Sequence, residues 1–161
     1  MENFIVRKAT QNDIPLLFEL INGLALYEKR PQDMTGTKEE LSYWLFEKQI
    51  ATSLVAELDG EPVGYAIYYP VFGSFSAKGK VHLEDIFLKE EVRGKGLGKK
   101  FMAKTTQFVL QDGYTGMEWS CLNWNTPSIA FYEKLGAEKE TGREYFAFSK
   151  SQMEKFQNFN Q

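Results

Sequence analysis

With 161 residues, 43% of them hydrophobic and 15% aromatic, the chain is long and apolar enough for one domain with a sizeable core. A net charge of −3 and no basic tail argue against a nucleic-acid surface, and one cysteine, Cys121, rules out an internal disulfide. One histidine and one cysteine cannot build a His/Cys-rich zinc site, so no metal is expected. The start, MENFIVRKATQND, lacks a basic stretch followed by an apolar one, and no apolar run reaches the ~18 residues of a membrane span. The expectation is a cytoplasmic protein with no membrane contact.

In chain order, Phe4 to Lys8 reads as a short strand. Asp13-Ile14-Pro15 opens a helix in which Leu17, Leu20, Ile21 and Leu24 form one apolar face, ending at Tyr27-Glu28. Thr37-Lys38-Glu39-Glu40 matches a capping box, with Leu41, Trp44 and Leu45 on the following apolar face. Ser53 to Leu58 and Pro62 to Tyr69 read as strands joined at Asp59-Gly60, a hairpin turn signal. Val71 to Gly79 reads as a loop and Lys80 to Leu88 as a strong strand. A helix from about Gly98 to Leu110, a strand from Gly116 to Leu122 and a helix from Thr126-Pro127 to Leu135 follow, the last stopped by Gly136. Arg143 to Phe148 reads as a last strand, and Ser151 to Phe156 as a terminal helix. This order predicts one α/β domain over 1–161, a mixed sheet flanked by helices.

Between the Lys80–Leu88 strand and its following helix stands EVRGKGLGKK. Glycines at 94, 96 and 98 ruin a strand and weaken a helix, but free a loop to turn its N–H groups toward one point. The helix N-terminus adds partial positive charge there, giving an anion site suited to phosphates. Arg93, Lys95, Lys99 and Lys100 surround it with mobile positive charge. The P-loop pattern fails because Phe101 stands where a magnesium-binding hydroxyl is needed, and the dinucleotide pattern fails because Lys99 takes its last glycine position. Arg93-Gly94-Lys95-Gly96-Leu97-Gly98 does fit R-x-x-G-x-G.

This loop resembles the pyrophosphate loop of the GNAT N-acetyltransferases, which bind acetyl-CoA. The resemblance extends over nearly the whole chain and is nearest to the diamine (spermidine/spermine) branch. It is carried by FIVRKAT, by ALYE at Ala25–Glu28, by LED at Leu83–Asp85, by RGKGLG, and by NWNTPSIAFYEKLGA at Asn123–Ala137. It implies a GNAT-like fold, a mostly antiparallel twisted sheet flanked by helices, acetyl-CoA as cosubstrate, and a homodimer with a small amine as substrate. It also implies that Arg93, Gly94, Lys95, Gly96, Leu97, Gly98 and Lys99 hold the pyrophosphate. Ile86, Phe87 and Leu88 would pair through their backbone with the pantetheine arm, which Asn125 and Ser128 also contact; both of these can equally serve as helix caps.

Acetyl transfer needs an amine that loses a proton, a polarised thioester carbonyl and a proton for the departing thiolate. Tyr132 is the candidate acid: a phenol of pKa ~10 is protonated at neutral pH, and one helical turn places it on the face of Ser128. The tyrosine it matches in the family faces the acetyl-CoA sulfur. Glu84 and Asp85 are costly idle inside an apolar strand, and alternation sends them to opposite faces. The resemblance makes Glu84 the base or water-holder and Asp85 a substrate contact, with Tyr27 and Glu28 lining the amine pocket. Cys121 is a candidate nucleophile without an evident partner and reads as core; Trp44, Trp119 and Trp124 read as core or interface aromatics.

Two regions depart from the polyamine pattern. VFGSFSAKG, from Val71 to Gly79, has Phe75 but no acid, and TGRE at Thr141–Glu144 has Arg143 where that branch has an acid and an aromatic. Long polyamines are therefore poor candidates. Acids at one end and an arginine at the other suit a lysine-like amino acid, although Arg143 pointing into water or bonding Glu140 reads as well. Acetylation of a protein lysine or N-terminus, and a non-catalytic acetyl-CoA-binding role, are the alternatives.

Overall fold

In a computed structural model, which describes residues 2–159, the chain divides into two compact units, Met1–Asn125 and Thr126–Gln161. Strands β1 (Phe4–Lys8), β2 (Thr52–Leu58), β3 (Glu61–Gly73), β4 (Lys78–Leu88) and β5 (Met117–Glu118) form one sheet in that order. The first four pair antiparallel and β5 joins β4 in parallel, so the sheet is mixed. Helices α1 (Ile14–Tyr27), α2 (Lys38–Ser42, continued by a π-helical turn to Glu47) and α3 (Leu97–Gln111) complete the first unit.

Local chemistry sets most of these boundaries. Pro15 sits in the first turn of α1. Thr37 accepts from the Glu40 N–H while Glu40 reaches back to the Thr37 N–H, so the capping box forms as the sequence predicts. Asp59 and Gly60 both take positive φ, 52° and 85°, as a tight hairpin requires.

Six consecutive buried residues on β3, Val63 to Tyr68, require cover on both faces. Tyr65 and Ile67 join Leu17, Leu20, Leu45, Val55 and Phe87 in the core beneath α1 and α2. Tyr68, the next residue, faces the other way and donates its hydroxyl to Asp112 at the end of α3, 2.7 Å away. Phe101, Thr105 and Val109 of α3 are buried there. Arg7 ties β1 to the start of α1 and to β2 through two bonds to Asp13 and one to Glu57, which holds the Asp13 carboxyl below its usual range.

The second unit holds α4 (Thr126–Lys134) and α5 (Lys150–Phe156). Gly136, at φ 92°, follows α4 as expected of a helix stop.

Four expectations change. The Val71–Gly79 loop is mostly strand, because β3 and β4 run on to Gly73 and Lys78 and leave only a short turn. The Gly116–Leu122 strand shrinks to Met117–Glu118, where its register with β4 holds at Val81 and His82. Arg143–Phe148 forms no strand: its alternating pattern finds no pairing partner among the described residues. The terminal helix is capped by Ser149 with Gln152, two residues ahead of the expected Ser151. Among the described residues no helix is long and apolar enough to cross a membrane.

Candidate active site

Beyond His82, no strand among the described residues pairs with β4 on its β5 side. Leu83 to Leu88 therefore present about 20 Å of unpaired backbone edge, at ~3.3 Å per residue. This stretch contains Ile86, Phe87 and Leu88. An extended, amide-bearing ligand can add to such an edge as a further strand.

The glycine loop begins where this edge ends. Buried Val92 and Leu97 anchor its two sides, while Gly94 and Gly96 take φ of 77° and 76°. Gly96 is the residue that caps α3, and it does so with no side-chain bond to the first-turn N–H groups. The N–H groups of Leu97, Gly98 and Lys99 have no acceptor within the helix, and the helix dipole favours negative charge beside them. A Cβ at Gly94 or Gly96 would meet no protein atom within 4 Å, so the space over the loop is open. Loop and helix together fit a phosphate-bearing group.

Arg93 is fixed rather than mobile. Its Nε donates to the Leu88 carbonyl at 2.9 Å, and its guanidinium lies 4.6 Å from the Tyr27 ring centre and 5.4 Å from that of Phe87. It thereby joins the loop to the end of α1. Lys95 reaches Glu2 at 3.4 Å; Lys99 and Lys100 are exposed in the first turn of α3.

The carboxylates sit at a β-bulge. Ile67 pairs with Asp85 and Tyr68 with Leu83, so Glu84 is an extra residue on β4. This overturns the expectation that Glu84 and Asp85 point to opposite faces. The Tyr69 hydroxyl donates to Glu84 at 3.2 Å and the Tyr65 hydroxyl to Asp85 at 2.9 Å. Tyr65 and Tyr69 share one face of β3, so the bulge turns both acids toward α1. His82 Nε2 lies 3.7 Å from Glu84, and its ring is 5.3 Å from that of Tyr69.

Burial pushes Asp85 up to about 6, with Glu84 and Glu28 adding to the rise and the Tyr65 hydrogen bond opposing it. Tyr65 is raised far above the usual phenol range by burial and then by Asp85. Burial, then Glu84, raises Tyr69, with Glu118 contributing. Glu28 and Glu84 thus act on Asp85, and Glu84, Glu118 and Asp85 on Tyr69, so the charge around these two side chains is acidic and favours a cation. Glu84 is exposed there, and Glu28 and Asp85 are half-buried.

Tyr27 donates its hydroxyl to Asn125 Oδ1 at 3.1 Å, tying the end of α1 to the turn that closes the first unit. Its ring meets Trp124 at 6.2 Å, over which Lys29 Nζ sits at 4.7 Å. Trp124 is 45% exposed and Trp44 48%, so of the core and interface readings neither takes the core one. The Cys121 thiol faces the Asn125 carbonyl at 3.9 Å, and burial raises it, which suits a packing residue and not a nucleophile. Ser128 and Tyr132 lie one turn apart on α4, as the sequence predicts, with the Tyr132 ring 5.6 Å from Phe131.

Sequence reasoning misses Tyr65, Tyr69 and Glu118. The two tyrosines could have been found, since Tyr65-Ala66-Ile67-Tyr68-Tyr69 puts both on one strand face. Glu118 carries no signal of its own. Among the described residues, no three His, Cys, Asp or Glu side chains gather to hold a metal ion.

The chain is similar to known proteins in sequence and in fold. The model of the Acetyltransferase (GNAT) family matches residues 21–137. The thialysine N-epsilon-acetyltransferase of Sus scrofa is 32% identical over 153 residues, covering 89% of this chain and 89% of that protein. The L-ornithine N5-acetyltransferase of Arabidopsis thaliana is 25% identical, covering 83% of this chain and 78% of that protein. An aminoglycoside N-acetyltransferase solved in complex with CoA shares the fold, with a TM-score of 0.71 at 21% identity over 93% of this chain and 97% of that one. The unpaired β4 edge, the glycine loop at the start of α3 and these matches lead to one conclusion: the chain belongs to the GNAT acetyltransferase family and is an enzyme of the acyltransferase class.

Proposed function

We propose that the enzyme transfers the acetyl group of acetyl-CoA to the terminal primary amine of a small lysine-like amino acid, by direct attack in a ternary complex. The observation that carries this reading is the bulge at Glu84, which sets two carboxylates on one face beside an open strand edge and a helix N-terminus. Acetyl-CoA supplies an acetyl thioester. The β4 edge at Ile86, Phe87 and Leu88 would receive its pantetheine arm, with Asn125 and Ser128 as further contacts. Gly94 to Lys99 would receive its pyrophosphate, with Arg93 holding the loop in place.

Asp85 and Glu28, beside Tyr27, hold the substrate ammonium. Glu84 takes its proton through water, because a carboxylate is a far weaker base than the amine it would deprotonate. As the C–N bond forms and the C–S bond breaks, Tyr132 gives its phenolic proton to the departing sulfur. Both relatives named above act, by name, on an amino acid with an amine at the end of its side chain. Arg143, exposed on the second unit, is the residue this reading assigns to the substrate carboxylate. Arginine grips a carboxylate in a two-pronged geometry that lysine lacks.

The test is kcat/KM for an ω-amino acid against its decarboxylated diamine, in wild type and in Arg143→Ala. The amino acid is expected to win in the wild type, and its advantage is expected to shrink in the variant. A wild type that prefers the diamine, or a ratio untouched by the mutation, removes Arg143 and the amino-acid preference together.

Gly96→Val checks the anion site. Valine at φ 76° is strained, and its branches would fill the open space over the loop. CoA affinity measured by calorimetry should fall about tenfold or more, since ~1.4 kcal/mol suffices, while the fold survives. Unchanged affinity contradicts the site. The expected assembly is a homodimer, with exposed Phe72 and Phe75 on the β3–β4 hairpin available to an interface. Sedimentation at the mass of a single chain would remove that expectation.

A further inference from the structure

Tyr65 is wholly buried, packed in the core with Leu17 and Leu20 and 6.2 Å from the Phe87 ring. A phenylalanine would fill that space equally well, and a buried hydroxyl is unfavourable unless it is bonded. Its bond goes to Asp85 Oδ2 at 2.9 Å. Asp85 Oδ1 has no donor among the described residues and is not sealed from solvent. The core thus spends a polar group on holding one oxygen of a half-buried carboxylate while leaving the other open.

We infer that Tyr65 is a positioning residue for the amine: its hydroxyl fixes the Asp85 carboxylate at the β4 bulge so that Oδ1 faces the substrate ammonium. The inference rests on the amine-acetylating reading above. The groups that act on Asp85 are Tyr65 from β3, Glu84 from β4 and Glu28 at the end of α1; beside it Tyr69 and His82 adjoin Glu84, Glu118 acts on Tyr69, and Arg93 is held against Tyr27 and Phe87. Burial pushes the Asp85 carboxyl up, the Tyr65 bond pulls it down, and Glu84 and Glu28 add to the rise. Loss of the hydroxyl therefore moves Asp85 to higher pH and leaves less of it ionised to hold an ammonium.

The experiment is Tyr65→Phe, alone and combined with Asp85→Asn. The single variant is expected to raise the amine KM about tenfold or more, the effect of losing a hydrogen bond to a charged group, with kcat within about threefold. The acid limb of kcat/KM should move to higher pH, and an NMR titration of the Asp85 carboxyl should show the same upward shift. Added to Asp85→Asn, Tyr65→Phe should change little more, because it acts through that carboxylate. An unmoved acid limb, an additive loss in the double variant, or loss of the fold by circular dichroism would each assign Tyr65 to packing instead. A wild type that acetylates no amine overturns the functional reading as well; an active wild type with an unmoved limb overturns only the role of Tyr65.

Discussion

Tyr132→Phe is expected to lower kcat by about 10²–10⁴, the range for a lost general acid, while the KM for acetyl-CoA changes far less. The substitution removes one hydroxyl and keeps the ring, so the contact with Phe131 and the α4 backbone are retained. On the proposed reading, the departing thiolate would then have no positioned donor and would take its proton from solvent. Steady-state rates with a single-turnover experiment check this, because the latter isolates the chemical step. A single-turnover rate equal to that of wild type gives the proton to another donor.

Asp85→Asn should produce opposite effects on stability and activity. In the folded chain the Asp85 carboxyl lies at about 6, above its usual 3.8, so the folded state holds its proton more tightly than the unfolded one. Stability is therefore lost as pH rises through this interval, and the full cost stands above about pH 6. A rise of about 2 pKa units corresponds to at most ~3 kcal/mol at ~1.36 kcal/mol per unit. The amide carries no such cost. The variant should melt several degrees above wild type at pH 8, with the gain fading toward pH 4. Its kcat/KM for the amine should fall sharply, as expected where a strained site is kept for function. Calorimetry at the two pH values checks the first half. An equal Tm at pH 8 means that Asp85 is not the costly ion that its burial implies.

Much of the fold was legible because its signals are local. The Thr37–Glu40 box, the Asp59-Gly60 turn and Pro15 each act within a few residues and appear as read, and Gly94 and Gly96 take the positive φ that glycine allows. The carboxylate pair was legible as chemistry but not as geometry. Whether Glu84 and Asp85 share a face depends on a register shift opposite Ile67 and Tyr68, which only the pairing partner sets. Other contacts span the chain: Tyr65 to Asp85 across 20 residues, and Tyr27 to Asn125 across 98. Arg93 looked like a free charge because the rings of Tyr27 and Phe87 that hold it lie on other elements. The Arg143–Phe148 pattern has a strand's alternation, but a strand also needs a neighbour's backbone, and no sequence pattern provides one.

The most direct test of the account is the initial rate of CoA release from acetyl-CoA with purified wild-type chain and a panel of lysine analogues, diamines, polyamines and peptides, with mass spectrometry of the products. The account predicts amine-dependent release highest with a lysine-like amino acid, and a product carrying one acetyl group on its terminal nitrogen. Release no faster than acetyl-CoA hydrolysis across the small amines, or turnover confined to peptides, would contradict it.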